Sequence, residues 1–345
     1  MKTIAVVTVG RSDYSIYLPI LRLIQEDADL RLHLIVGGMH LAPEFGNTAD
    51  TILEDGLEIG DRVEMLLSSD TPEGIAKSVG IGIMGFAQVF GRLPPELLMV
   101  LGDRFEMHAA AVAAVPFKIP IAHVHGGEIT EGAIDDVQRH SMTKLSHLHF
   151  VSTEEYANRV CQMGEESWRI IVSGAPSLDN LQHIQLWTRD ALVRRLGTSL
   201  DRSPLLVTYH PVTLQFEDTE RQMTELLETL GKLEYPIVFT APNADPAGRQ
   251  IKTMIDRFVC EKPAAQLIPN LGTQGYFSLM AHSAAMVGNS SSGIIEAASL
   301  GLPVVNIGDR QRGRVRPRNV IDVGYDRRAI SGGISRALSP EFKKS

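Results

Sequence analysis

At 345 residues the chain is too long for one ordinary core, and two domains of roughly 150 residues each are expected. Its 44% hydrophobic and 21% charged residues are the balance of a globular protein, and the formal net charge of −8 argues against nucleic acid or a membrane surface as partner, since both select a basic face. No apolar run of about 18 residues stands out, so no bilayer span is expected.

The first element is TIAVVTVG (3–10), a strand rather than a signal peptide, because Arg11, Ser12 and Asp13 stand where small cleavage-site residues would be needed. Further apolar, β-branched runs follow: LRLHLIVGG (30–38), ELLMVLGD (96–103), IPIAHVHGG (119–127), LHFVST (148–153) and RIIVSG (169–174). A second series comprises PLLVTYH (204–210), YPIVFTAP (235–242), AAQLIPN (264–270), AAMVGNSS (284–291) and PVVNIG (303–308). Runs without polar alternation suit strands of a parallel sheet covered on both faces. Between them lie amphipathic helical patterns such as YLPILRLIQED and RDALVRRLG. The polar stretches between residues 174 and 203 mark the domain boundary, giving domains 1–175 and 176–345. The expected class is α/β, with two Rossmann-like doubly wound domains and an interdomain cleft. Cys161 and Cys260 have neither CxxC spacing nor a metal pattern and are expected to be buried thiols of a cytoplasmic protein.

In doubly wound sheets ligands bind beyond the carboxyl ends of the strands. Those ends carry GRSDYS, GDRFE, HVHGGE, TYHPVT, APNADP and GNSSSG. Helix capping accounts for one Ser, Thr or Asp per turn, such as Ser12, Asp13 or Thr213. It does not account for Arg11, Arg104, His210 and Asn243 on the same rim. In GNSSSG (288–293), backbone amides and hydroxyls at a helix start suit an anion such as a diphosphate, and Glu296, one to two turns further, can reach a ribose diol. The simpler alternative is a serine cap and a solvated Glu. Neither GxGxxG nor GxxxxGK(S/T) stands at a strand–helix junction, which argues against a nicotinamide cofactor or an ATPase loop. Asp27 and Asp29 form a DxD before the second strand, on the wrong rim for a metal site.

The densest stretch is HVHGGEITEGAIDDVQRH (123–140), with three His, four carboxylates and Arg139. For Asp135 and Asp136 the plain alternative is a helix start, where acids are favoured, and one of the two is expected to be no more than that. Arg139, His140, Lys144 and His147 share helical spacing, the last two as surface residues.

With GRSDYS, GDRFE, HVHGGE, IDDVQRH, HPVT, PNAD, GNSSSG and GDRQRGR in order, the chain resembles the hydrolysing UDP-N-acetylglucosamine 2-epimerase family from about residue 3 to residue 325. The resemblance is to the bacterial branch that feeds sialic- and legionaminic-acid-type sugar synthesis. It implies a GT-B architecture, a UDP-sugar substrate, no metal, no redox cofactor, and a homo-oligomer, dimer or tetramer. It also implies elimination of the nucleotide to a 2-acetamidoglycal, followed by hydration with a proton returned to carbon 2 from the opposite face. That chemistry needs acid–base groups on both ring faces and cations for the leaving diphosphate. By the resemblance Asp103, His125, Glu128, Asp135 and Asp136 are the catalytic candidates. Arg11, Ser15, Arg104, His210, Asn243, Ser290, Ser291, Glu296 and Arg310 stand where the family contacts UDP.

Two departures from the pattern matter. By the resemblance, the best-known hydrolysing members carry Glu where His125 stands, so the role passes to His125, to Glu128 or to another arrangement. The family also runs further at its C-terminus, and Gly332-Gly333 is expected to weaken the last helix here. UDP-N-acetylglucosamine is the first expected substrate, giving N-acetylmannosamine and UDP. UDP-N,N'-diacetylbacillosamine or GDP-N-acetylglucosamine is the alternative. A GT-B glycosyltransferase fits the nucleotide motifs but not the carboxylates, and a non-catalytic UDP-sugar-binding protein ranks lowest.

Overall fold

The computed structural model describes residues 1–43, 46, 48–69, 71–197, 202–242 and 247–342. Strands β1 (Lys2–Thr8), β2 (Leu30–Gly37), β3 (Ile59–Val63), β4 (Leu97–Leu101), β5 (Ile121–Val124), β6 (Leu148–Val151) and β7 (Ile170–Val172) form one sheet in the order β3-β2-β1-β4-β5-β6-β7. Every pairing is parallel, with β1 and β2 in register from Lys2 opposite Leu30 to Thr8 opposite Val36. This sheet belongs to a unit made of Met1–Glu128 and Ile134–Gln182. The second unit, Ile129–Ala133 with His183–Ser345, holds β8 (Leu205–Thr208), β9 (Ile237–Thr240), β10 (Ala265–Ile268), β11 (Ala285–Gly288), β12 (Val304–Ile307) and β13 (Val320–Val323). Its order, β10-β9-β8-β11-β12-β13, is again wholly parallel.

Both orders reverse direction beside the first strand, between β1 and β4 and between β8 and β11. Those are the switch points where loops diverge and leave room for a ligand. The central strands are apolar on both faces because both are covered: Ala5, Val6 and Val7 in β1, and Leu205, Leu206 and Val207 in β8, are fully buried. β3 and β13 were not expected from sequence. Their segments IGDRV and VIDV carry charge inside the run, as sheet edges with one half-open side permit.

One helix is longer and more apolar than the sequence suggested, and two further expectations are corrected. The helix Pro72–Arg92, capped by Thr71 with its hydroxyl accepting from Gly74 N at 3.1 Å, is long and apolar enough by length and composition to cross a membrane. Here its Ile75, Phe86, Val89 and Phe90 face is buried in the first core. Cys161 and Cys260 are exposed, not buried, lying on the outward sides of helices Glu154–Gln162 and Gly248–Glu261. The last helix, Arg327–Ala337, forms across Gly332-Gly333 with Asp326 as its cap. A Cβ on Gly333 would stand 2.7 Å from Val323 Cγ1 and 3.0 Å from Val305 Cγ1, so the missing side chain lets the helix seat against the sheet.

Candidate active site

In the first unit the site is built on the loops after β4 and β5. His123, the third residue of β5, is buried, and burial pushes it down to about 4, so it is neutral with one ring proton. Its Nε2 lies 2.8 Å from Gly102 O, a group that only accepts, so Nε2 carries that proton and ties the two loops together.

Arg139, on the helix Asp135–Leu145, is only 1% exposed and heads the fully buried side chains by size. A guanidinium survives such burial only with partners on several sides. One of its nitrogens donates to Glu128 O at 3.0 Å, another bonds Asp103 Oδ2, and Asp136 Oδ1 stands 3.8 Å away. Arg139 thus gathers three candidate segments that lie up to 36 residues apart in sequence. Asp136 also faces His140 at 3.5 Å. Asp135 opens the helix, and no side chain caps it; the cap position is Ile134. Asp103 does not cap the following helix either, since that position is taken by Arg104. Lys144 and His147 are surface residues, as expected.

His125 follows β5 with φ +64, a left-handed conformation uncommon outside glycine. Its backbone N–H is anchored to Phe150 O at 2.9 Å and its Nδ1 lies 2.6 Å from Glu128 Oε1. Ser152 donates to that same carboxylate oxygen at 3.2 Å. Both His125 and Glu128 are buried.

The β1 switch loop carries Arg11 at the first position of the helix Arg11–Glu26, with Ser15 one turn on, its carbonyl accepting from Asn180 Nδ2 at 2.7 Å. Arg104 is gripped at two nitrogens by Glu106, each bond 3.1 Å. Sequence reasoning missed the polar chain beneath these residues. The Thr8 hydroxyl donates to Asp13 Oδ2 at 2.6 Å, and its single proton is then used. It therefore accepts from His40 Nε2 at 3.0 Å, leaving His40 Nδ1 to accept from the Thr48 hydroxyl at 2.6 Å. Val9 N donates to the same Asp13 oxygen at 2.8 Å, so Asp13 holds the end of β1 rather than capping its own helix. Only the sharing of a rim by GRSDYS and LIVGGMH signalled this contact.

In the second unit, Asn289 clasps the backbone of His210 from the neighbouring switch loop, and its own carbonyl accepts from Gln311 Nε2 at 2.8 Å and Arg310 Nη1 at 3.3 Å. His210, Glu296, Arg310 and Gln311 are buried, and Ser290 and Ser291 are half-buried. One detail differs from expectation. The helix after GNSSSG is only Ser292–Ile295, with Glu296 at its end and a 3-10 turn Ala297–Leu300 closed by Gly301 after it. The short connection to β12 leaves no room for two turns, and four residues make too weak a dipole to bind an anion alone. Asn243 lies outside the described residues. The segment Ile129–Ala133 belongs to this unit, with Glu131 N donating to Arg312 O at 3.0 Å and Glu131 paired to Arg312 at 2.9 Å.

Residues 22–345 match the UDP-N-acetylglucosamine 2-epimerase family. The chain belongs to that family. It is 38% identical to the GDP/UDP-N,N'-diacetylbacillosamine 2-epimerase (hydrolyzing) of Campylobacter jejuni, over all of this chain and 89% of that protein. Identity is 37% to the UDP-N,N'-diacetylbacillosamine 2-epimerase (hydrolyzing) of Legionella pneumophila, over all of this chain and 91% of that one. It is 30% to the UDP-N-acetylglucosamine 2-epimerase of Neisseria meningitidis, over 98% and 88%. Among solved structures, UDP-GlcNAc 2-epimerase from Neisseria meningitidis bound to UDP-GlcNAc superposes with a TM-score of 0.82 at 19% identity, covering all of this chain and 93% of that one. The fold class is the expected one, α/β of the GT-B kind, and the family member is a hydrolysing sugar-nucleotide 2-epimerase.

Proposed function

We propose that the substrate is UDP-N,N'-diacetylbacillosamine, hydrolysed to UDP and the free 2-epimer. Loss of the proton at carbon 2 accompanies breakage of the bond between carbon 1 and the diphosphate oxygen, which leaves with the electron pair. Water then gives hydroxide to carbon 1 of the resulting glycal, and a proton reaches carbon 2 from the opposite face. The observation that carries this reading is the buried Arg139, which draws the half-buried Asp103 and Asp136 together with the backbone of Glu128, whose carboxylate meets His125. Crowded carboxyl groups around one cation can hold different protonation states, as a reaction needing both an acid and a base requires.

In this reading Asp103, His125, Glu128, Asp135 and Asp136 serve proton transfer. Arg11, Ser15, Arg104, His210, Asn243, Ser290, Ser291, Glu296 and Arg310 serve the nucleotide. The 4-acetamido sugar is placed ahead of N-acetylglucosamine because the relatives so named are 38% and 37% identical, against 30% for the UDP-N-acetylglucosamine enzyme. Proton NMR in heavy water tests it, with UDP-N,N'-diacetylbacillosamine, UDP-N-acetylglucosamine and GDP-N-acetylglucosamine offered separately. Release of a 2-epimer deuterated at carbon 2 in the first tube, faster than in the others, is expected. Faster turnover of UDP-N-acetylglucosamine would reverse the order of sugars.

A further inference from the structure

We propose that His125 Nε2 is the base that removes the proton from carbon 2 of the sugar, and that Glu128 is its positioning residue. This rests on the 2-epimerase reading above and assigns roles within it.

The His125 ring has two distinct nitrogens. Nδ1 lies 2.6 Å from Glu128 Oε1, and a buried carboxylate there fixes the proton on Nδ1. Nε2 then presents a lone pair. It is buried and has no hydrogen-bond partner among the described residues, an arrangement a folded chain rarely tolerates without a use for it. The backbone supports the same conclusion. His125 sits at φ +64, pinned through its N–H to Phe150 O, where a strand end would ordinarily place glycine. Sparsely populated conformations held by surrounding bonds collect at functional sites, because they aim a side chain that a relaxed loop would not.

Glu128 itself is the poorer base. Its Oε1 already takes the Ser152 hydroxyl at 3.2 Å and the imidazole, so that oxygen is committed to holding the ring. As the imidazolium forms, the same carboxylate stabilises it. In the step, the C2–H bond breaks and its proton goes to Nε2. The electron pair closes the C1–C2 double bond while the C1–O pair departs on the diphosphate. A carboxyl group of the Asp103–Asp136 cluster returns a proton to carbon 2 from the other face, and is restored by the proton of the water that hydrates carbon 1. The proton on Nε2 leaves to solvent. Around this loop the charged and titratable groups are Glu128 itself, His123 on β5, Asp103 after β4, Asp136 and Arg139 on the helix Asp135–Leu145, and Arg159, which donates to Gly127 O.

The test compares full-length wild type, H125Q and E128Q on whichever sugar nucleotide the wild type turns over, with UDP binding by calorimetry as a check on folding. H125Q is expected to lose on the order of 10³-fold in kcat, the scale of a general base, while binding UDP within about two-fold of wild type. E128Q keeps an acceptor for Nδ1–H but not the charge. It is expected to lose on the order of 10- to 100-fold and to move the acidic limb of kcat/KM to lower pH, because the imidazolium is no longer stabilised. Long-range ¹H–¹⁵N spectra of the wild type, independent of any variant's folding, should show His125 as the Nδ1–H tautomer. An H125Q enzyme within ten-fold of wild type overturns the assignment, as does an Nε2–H tautomer. An inactive E128Q beside an active H125Q hands the role to Glu128. Failure of the wild type to release a 2-epimer from any sugar nucleotide fails the 2-epimerase reading instead, and this inference with it.

Discussion

Asn289 Oδ1 accepts from His210 N at 2.7 Å and Asn289 Nδ2 donates to His210 O at 2.8 Å, so one buried amide satisfies both backbone groups of the residue opposite it across the second unit's switch point. Only an amide offers a donor and an acceptor at that spacing. N289D keeps the shape but sets a carboxylate oxygen against His210 O, and N289A leaves both backbone groups unmatched. Each unmatched group costs about 1–3 kcal/mol. Both variants are expected to weaken UDP binding by more than ten-fold in calorimetry. Unchanged UDP affinity in N289D would remove this clasp from the nucleotide site.

Gly288, the residue before it, has φ +142, and a Cβ there would lie 2.0 Å from Thr208 O, a backbone atom of the adjacent strand. Nothing can move to admit it, so G288A is expected to lose more than about 4 kcal/mol and to yield little folded protein. Gly80 is the contrast: it lies inside the helix Pro72–Arg92, and a Cβ there would meet nothing within 4 Å. G80A is expected to raise stability by about 0.5–1 kcal/mol, by restricting the unfolded chain and favouring the helix. Thermal midpoints of the two variants measure both signs, and a G288A protein as stable as wild type would contradict the geometry.

What the sequence disclosed follows a physical divide. Runs such as IAVV and PLLV are strands buried on both faces, and such strands announce themselves by lacking polar residues. β3 and β13 escaped notice because an edge strand tolerates Asp61, Arg62 and Asp322. The glycines and charges at strand ends pointed to candidate residues in each unit, since the doubly wound order places the strand ends of each sheet on one rim of that sheet. Pairing was not legible. Arg139 shows only its helical spacing in the sequence, not its pairing with Asp103, and nothing local connects His40 to Thr8, 32 residues away.

Arg139 supplies the next expectation. R139M leaves the half-buried Asp103 and Asp136 without their shared cation and Glu128 O without its donor, and each group so unmatched costs about 1–3 kcal/mol. R139K keeps the charge, but a single ammonium head does not reproduce the planar fork that meets Glu128 O and Asp103 together. Both variants are expected to lose activity by at least 10²-fold, with R139K the more stable in denaturant titration. An R139M protein within about 1 kcal/mol of wild type would mean the cluster relaxes without its cation.

The Thr8-bridged pair gives a pH dependence whose sign can be worked out. Burial pushes the Asp13 carboxyl from 3.8 up to about 6, against the pull of its Thr8 and Val9 hydrogen bonds. Between those values the folded chain holds a proton that the unfolded chain has released, so this group's stabilisation is complete below pH 3.8 and is lost as pH rises through about 6. Burial moves His40 the other way, from 6.5 down to about 4, so its contribution is complete above pH 6.5 and is lost as pH falls toward 4. The two slopes oppose each other across the same window, and wild type shows little of either. D13N removes the first while keeping acceptors for Thr8 and Val9. Its stability relative to wild type should therefore rise from pH 4 to pH 7, by on the order of 2 kcal/mol. H40Q should show the reverse, gaining on wild type as the pH falls. Other buried groups such as His123 are common to all three proteins and cancel in the differences. Denaturation at pH 4.5 and pH 7 measures them, and a D13N difference that stays constant with pH would show that Asp13 titrates as it does in the unfolded chain.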